Sequence, residues 1–383
     1  MNELFDNCIL PDKLSELPSS AGLVLFADSQ DLPILLLSAA NIRRAAKNKL
    51  AEPFDTSTKL SADKLRAGKT KKADLKSITA KIYCETCHCK FRLALEHYKA
   101  VKKIFASNYK DHISFVYPWF IEIDFNEKIP FFSITRKPAF KSGEKILGPF
   151  SSQKSAAVFL NTLEDAFKLC KRSDLAGNPQ RAAGCPYLQM NACCGVCGGK
   201  IRPQDYQNII KDAFEAGVEP AKQIEKLGAE MQRAAKDLNF ESAAELKKKI
   251  EKLSTLKKQT YRWTGDLEKL KIVHIDKSVK IKAQDSKKKK QTYAVFVMNF
   301  FEVIDIGDFV IDDSSKITEI IENTLLKLNG GQQNAGDNSE ILERFAIISY
   351  FLYRTNWPGL WVNTSEGFDK MMFAQTVREK FKV

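Results

Sequence analysis

Hydrophobic and polar positions along the chain switch between a period near two and a period near 3.6. Near the amino terminus, Gly22–Phe26 and Ile34–Leu37 are short apolar runs on either side of a turn-like Asp28–Asp31, which predicts a hairpin. Asn41–Leu50 then takes helical spacing with many Ala and Lys. Residues 52–76 are polar and Lys-rich and read as loop. A strand is expected over Ile78–Tyr83 and a helix from Lys90 to Phe105, followed by aromatic, strand-rich segments in 113–136 around Tyr117-Pro118. Gly148-Pro149-Phe150 reads as a turn, and Ser152–Leu169 as an amphipathic helix.

The strongest periodicity follows a cysteine-rich stretch at 170–199. Ile224, Leu227, Met231, Ala234, Ala235 and Leu238 recur at steps of three and four. Asn239 interrupts them, and Ala243, Leu246, Ile250 and Leu253 resume the pattern. That is a helical hairpin with one apolar stripe. Two helices alone cannot hide such a stripe, so a partner helix pair is expected to cover it. Beyond Trp263 the pattern returns to strands, at Lys271–Ile275, Tyr293–Asn299 and Phe301–Ile306. Helices at Lys316–Leu328 and Glu340–Tyr353 flank a Gly/Asn/Gln loop at Asn329–Asn338, and a Trp357-Pro358-Gly359 turn follows. The fold class is therefore multi-domain α+β. It comprises a small α/β domain over 1–112, connecting strands and a helix over 113–169, and a cysteine-rich region over 170–222. The hairpin over 223–258 and an α/β unit over 265–383 complete it.

Composition narrows the class further. At 383 residues with 44% hydrophobic and 28% charged positions, the chain can bury sizeable cores and is not a disordered tail. No apolar stretch approaches the ~20 residues of a membrane span, and the Glu3- and Asp6-bearing start lacks a signal-peptide pattern. A cytoplasmic protein with no membrane partner is expected. Its 60 Lys and Arg against 47 Asp and Glu leave +13, which suggests a polyanionic partner. The positive charge is dense at Lys247–Lys249 and at Lys287, Lys288, Lys289 and Lys290, the latter a solvated loop tip or a set of phosphate contacts.

The nine cysteines cluster instead of spreading like a disulfide framework, which points to thiolate ligation. Cys170, Cys185, Cys193 and Cys197 are separated by 14, 7 and 3 residues, among Gly184, Pro186, Gly195 and Gly198. Four thiolates on a bent loop suit an iron–sulfur cluster or a tetrahedral zinc, and the uneven spacing leans toward the cluster. Buried thiols without metal are the plainer alternative. Cys84-Glu85-Thr86-Cys87-His88-Cys89 is a second group, able to take a metal only with ligands from elsewhere, and otherwise a run of loop thiols.

Gly148-Pro149-Phe150, the spacing of Cys185 to Cys193, and Cys193-Cys194-Gly195-Val196-Cys197 resemble the middle of the UvrC excinuclease family and its Cho-like homologues. The run from Met231 through Leu238, Phe240-Glu241, Ala243-Ala244, Leu246, Ile250 and Leu253 resembles that family's UVR motif. The resemblance implies a four-iron, four-sulfur cluster (zinc being the alternative) on Cys170, Cys185, Cys193 and Cys197, with Cys194 an extra thiol. It also implies that Met231, Leu238, Phe240, Ala244, Ile250 and Leu253 dock on UvrB, the excinuclease component that carries the corresponding hairpin.

Residues 10–112 resemble the GIY-YIG nuclease domain that opens such proteins. In that chemistry a Tyr activates water, an Arg stabilises charge on phosphate, and a Glu holds a divalent metal. Leu93-Ala94-Leu95-Glu96-His97 matches the segment with the metal-binding Glu, so Glu96 is the candidate Mg ligand, and Asn108 falls on the downstream Asn. Elsewhere the signature is lost. Its first Tyr is Val24, its second triplet is Leu35-Leu36-Leu37, its third Tyr is Lys49, and its Arg is Ala45. Arg44 is the one stand-in for that Arg, and Arg43 and Arg44 remain at the helix start as candidate DNA contacts. Hydrocarbon in place of hydroxyl cannot relay a proton.

The leading expectation is a UvrC-like repair protein that binds DNA and docks on UvrB without cutting. Alternatives are an active Mg-dependent UvrC/Cho-type endonuclease with Tyr98 or Tyr83 as a rearranged base, and an iron–sulfur or redox adaptor. About 120 residues after the hairpin cannot hold the family's second nuclease and its tandem DNA-binding modules together. Asp276, Asp305, Asp308, Asp312 and Asp313 there read as strand-end and turn residues.

Overall fold

The amino-terminal apolar runs build one antiparallel sheet. The computed structural model describes residues 4–51, 74–140, 143–176, 178–282, 289–310, 314–330, 337–354 and 359–381. In it, β1 (Asn7–Ile9), β2 (Gly22–Ala27), β3 (Pro33–Ala39) and β4 (Lys81–Thr86) lie in the order β1-β4-β2-β3. β2 is buried along its whole length because helices cover both faces of the sheet. Val24 and Phe26 pack with Ile42, Ala46 and Leu50 of α1 (Ile42–Ala51). Leu23 and Leu25 face Ala100 and Val101 of α3 (Lys90–Ile104). The strand expected at Ile78–Tyr83 begins later. Asp74 accepts the Lys76 N–H and so caps a helical turn, α2 (Leu75–Ile78), which uses up its first residue. The short α4 (Tyr109–His112) ends this lobe.

The middle of the chain has its own sheet, β5 (Trp119–Asp124), β6 (Ser133–Thr135), β7 (Glu144–Phe150) and the two-residue β8 (Gly265–Asp266), in the order β6-β5-β7-β8. The turn expected at Gly148-Pro149-Phe150 is strand instead. Phe150 pairs with Trp119 and Gly148 with Gly265, and a register shift between Trp119 and Ile121 accommodates a proline that has no N–H to give. Ser152 then caps α5 (Gln153–Phe167) by accepting the Ser155 N–H at 3.1 Å. Two short helices, α6 (Pro179–Ala182) and α7 (Pro186–Gln189), carry the cysteine segment to α8 (Pro203–Val218), α9 (Pro220–Lys236) and α10 (Phe240–Ser254). One core holds these elements together, with Phe159, Leu163, Tyr206, Ile210, Leu227 and Leu253 inside it. The sequence reading missed α8, although Tyr206, Ile210, Ala213 and Phe214 already have helical spacing behind a Pro203 start.

The carboxy-terminal unit is an antiparallel sheet in the order β11-β10-β9-β12, formed by β9 (Lys271–Lys282), β10 (Lys289–Asn299), β11 (Val303–Val310) and β12 (Leu360–Asn363). Val273, Ile275, Val295 and Val297 face α11 (Ser314–Gly330) and α13 (Lys370–Phe381). Ile272, Phe296 and Met298 face the other way, onto α12 (Asn338–Leu352). The continuous apolar run of β10 reflects burial on both faces.

That second face is closed by the amino-terminal lobe. Phe91 of α3 makes edge-on contacts with His274, Phe296, Phe351 and Trp361, with centroids 4.9–5.4 Å apart. Glu343 of α12, 0% exposed, accepts the hydroxyls of Tyr98 and Tyr109, each at 2.9 Å. Lys102 pairs with Glu340, and Arg92 forks onto Asp305 and also reaches Asp308 at 2.9 Å. No helix among the described residues is long and apolar enough to cross a membrane.

Candidate docking hairpin and cysteine site

In the amino-terminal lobe the expected nuclease residues each take part in other contacts. Glu96 sits half-buried on α3 and pairs with Lys99 at 2.9 Å. Arg44, exposed on α1, gives its backbone N–H to Asn41, while the Arg43 Nε donates to the Leu17 carbonyl at 2.7 Å. Arg43 is thus a brace between α1 and the loop before β2. Asn108 precedes α4, with its side chain 3.4 Å from His112 Nε2. Neither tyrosine offered as a replacement base is poised for that role. The Tyr83 hydroxyl donates to Asp31 at 2.7 Å and that of Tyr98 to the buried Glu343. Both phenols are pushed up, Tyr83 first by its bond to Asp31 and Tyr98 first by burial, so both hold their protons. Of the candidate DNA lysines, Lys287 and Lys288 lie outside the described residues, as does the side chain of Lys289, and Lys290 is exposed at the start of β10. Asp312 and Asp313 also lie outside them, and Asp305 and Asp308 are taken up by Arg92.

The thiols at 84–89 have separate surroundings. Cys84 is buried under α1, Cys87 Sγ donates to the Cys89 carbonyl, and Cys89 Sγ faces Asp276 at 3.7 Å. Burial pushes Cys84 up to about 11, and burial followed by the Asp276 carboxylate pushes Cys89 up to about 12. His88 is exposed.

The second group of cysteines behaves differently. Cys170 follows α5, whose end turns at Lys168 with φ of 50°. The Lys168 carbonyl accepts the Cys194 N–H at 2.7 Å, tying the far side of the loop to this helix end. Cys185 sits at the N-cap position of α7 with no side-chain capping bond, and Cys197 lies in a tight turn after Gly195. Gly195 has φ of 74°, and a Cβ there would come within 2.8 Å of Leu188. All four sulfurs are buried. Cys170 is pushed up to about 12 by burial first, then by the neighbouring thiols of Cys197 and Cys193. Cys193 is raised by burial, with Cys197 and Cys185 adding. The four cysteines lie in one buried core, although among the described residues no three His, Cys, Asp or Glu groups close on the position of a single ion. The donor set is all sulfur, which suits soft metals and iron–sulfur clusters. One polar atom beside it has no partner: the hydroxyl of Tyr206, buried on α8.

The hairpin divides along its length. At its base Leu227, Leu253 and Leu256 are buried in the chain's own core, and Ile224, Leu246 and Ile250 pack against them. Leu253 is 0% exposed and so leaves the docking face assigned to it from sequence, and Ile250 mainly serves the inner core. At the tip the stripe is bare. Leu238 is 74% and Phe240 65% exposed, with Ala235 and Ala244 exposed beside them and Met231 half-buried. Asn239 forms the break as an N-cap, its side chain accepting the Ser242 N–H at 3.1 Å. Leu238 before it takes φ of 60°, which turns its side chain outward.

These two features lie where the comparisons with known proteins converge. Residues 117–216 match the family model described as UvrC/Cho excinuclease, middle domain, and residues 221–256 match the UvrB/uvrC motif. Over these residues the chain is UvrC/Cho-like. Among curated proteins it is similar to UvrABC system protein C of Nautilia profundicola, 32% identical over 165 residues covering 42% of this chain and 25% of that protein. It is also similar to UvrABC system protein C of Aliarcobacter butzleri, 26% identical over 343 residues covering 89% of this chain and 50% of that protein. The chain spans half or less of the length of these relatives. No solved structure matches it.

Proposed function

We propose that this chain is a nucleotide-excision-repair accessory that binds DNA and docks on UvrB through the hairpin tip, without a working GIY-YIG centre. The observation that carries the reading is the bare apolar tip on a hairpin matching the UVR motif. Leu238 and Phe240 are large apolar groups in water, and they continue a stripe whose other half is already buried. A second helix pair laid on Ala235, Leu238, Phe240 and Ala244 would complete it. The +13 charge supports a phosphate backbone as the other partner.

Loss of cleavage is supported by the chemistry around Glu96, whose neighbour is the Lys99 ammonium, and by the two phenols committed as donors to Asp31 and Glu343. Cys170, Cys185, Cys193 and Cys197 would hold a four-iron, four-sulfur cluster. When bound, it supplies a rigid cross-link between the end of α5, α7 and the turn before α8. Anaerobically purified protein is expected to absorb broadly near ~400 nm, whereas a colourless preparation with stoichiometric zinc would replace the cluster with zinc.

The deciding experiment pairs co-purification with UvrB and Mg-dependent incision of damaged duplex. Leu238→Glu and Ala244→Glu are expected to abolish association while leaving salt-dependent DNA binding intact. Undiminished association removes the docking claim. Incision by the purified chain that disappears in Glu96→Gln would favour the endonuclease reading instead.

A further inference from the structure

Tyr206 heads the largest fully buried side chains of the described residues, and its hydroxyl has no hydrogen-bond partner. The ring needs no explanation, because it fills the core between α5 and α8 and meets Phe131 at 6.2 Å. The hydroxyl does. A phenylalanine would fill the same space without stranding a polar group, so the oxygen is a burden on the fold. Its polar surroundings are the thiols of Cys194 and Cys170, the backbone N–H of Cys170, which does not close to a hydrogen bond, and beyond them the Glu164 carboxylate, which pairs with Lys171 at 3.6 Å. With that N–H on the oxygen side, the phenolic proton is left to be given onward. With Glu164 engaged by Lys171, the acceptor left within the same buried space is sulfur. A neutral thiol accepts poorly, and a metal-bound thiolate accepts well.

We infer that Tyr206 is a positioning residue for the cluster held by Cys170, Cys185, Cys193 and Cys197, its hydroxyl donating to the Cys170 thiolate once that thiolate is metal-bound. The inference rests on the cluster reading above. A hydrogen bond to a ligand sulfur withdraws electron density from it and so favours the reduced cluster, which carries one more negative charge. The same bond holds the Cys170 side of the loop against α8. Cys170 is the ligand furthest in sequence from the rest, and so the one most in need of a second anchor. Cys194 flanks the site as a further thiol with its backbone tied to Lys168.

The test compares wild type with Tyr206→Phe, both purified anaerobically and assayed for iron content, midpoint potential and bleaching of the ~400 nm band under a chelator. The phenylalanine variant is expected to have a more negative midpoint and to bleach several-fold faster. Its metal-free form should melt at the same temperature as metal-free wild type or higher, since the stranded hydroxyl is gone. That opposite sign in the loaded and metal-free proteins is what a purely structural tyrosine would not give. Site-specific 3-fluorotyrosine at 206 keeps the ring and makes the hydroxyl a stronger donor, so it should move the midpoint in the positive direction. Loaded variants with wild-type midpoint and bleaching rate overturn the inference alone. Wild type isolated without iron overturns the cluster reading and this inference with it.

Discussion

Leu238 shows how one residue can serve a surface at the fold's expense. A leucine at φ of 60° is strained by about 1 kcal/mol relative to glycine, and nothing in the chain's own core repays it. Leu238→Gly is therefore expected to raise the urea midpoint while weakening capture of UvrB, two readouts moving in opposite directions. His274 carries a different signature. It is fully buried against Trp361 at 3.7 Å and Phe91 at 5.1 Å, and desolvation drops its pKa from 6.5 to about 3. A depressed folded value means the unfolded chain binds the extra proton first as pH falls. The stability His274 contributes is complete above pH 6.5 and is lost progressively down to about pH 3. The slope attributable to this group is at most about 1.4 kcal/mol per pH unit. Denaturation curves of His274→Phe at several pH values should be flatter through that window, and an unchanged slope would assign the acid sensitivity elsewhere.

At the scale of elements, the hairpin was legible because its apolar steps of three and four are broken once, at an asparagine suited to capping. What the periodicity could not say was which half of the stripe the chain covers itself. That depends on α5 and on α8, the latter unmarked in sequence because its apolar positions sit among polar ones in a segment dominated by the cysteines before it. Leu253→Ala at the base should cost about 2–5 kcal/mol, whereas Ala244→Glu near the tip should stay within about 0.5 kcal/mol, by urea denaturation. Equal losses would mean the tip is also core. The spacing of the cysteines suggested a ligand set, but it could not point to Tyr206, since no pattern in sequence marks a hydroxyl that lacks a partner. The Gly148-Pro149-Phe150 strand was misread because a Gly-Pro pair usually signals a turn, and the pairing of Phe150 with Trp119 overrides that local preference. In β10 the apolar run from Tyr293 to Met298 is covered on both faces, by α11 and α13 on one and by α12 with α3 on the other.

For the whole molecule, the decisive fact is that the first and last lobes share a core. Phe91→Ala empties the centre of an aromatic cluster drawn from both, and should cost about 3–5 kcal/mol and speed proteolytic separation of the lobes. A variant as protease-resistant as wild type would mean that the lobes are held by the ion pairs of Arg92 and Lys102. The shared core also sets an order of events during synthesis. When the ribosome has released α3, the surfaces that Phe91, Leu95 and Tyr98 will occupy have not yet been translated. The nascent amino-terminal lobe must wait, with a sticky helix face and a tyrosine pair lacking its carboxylate, until α12 emerges. Such a chain is a natural client for chaperones that bind early and let go late, and ribosome stalling within its final third should send it to degradation.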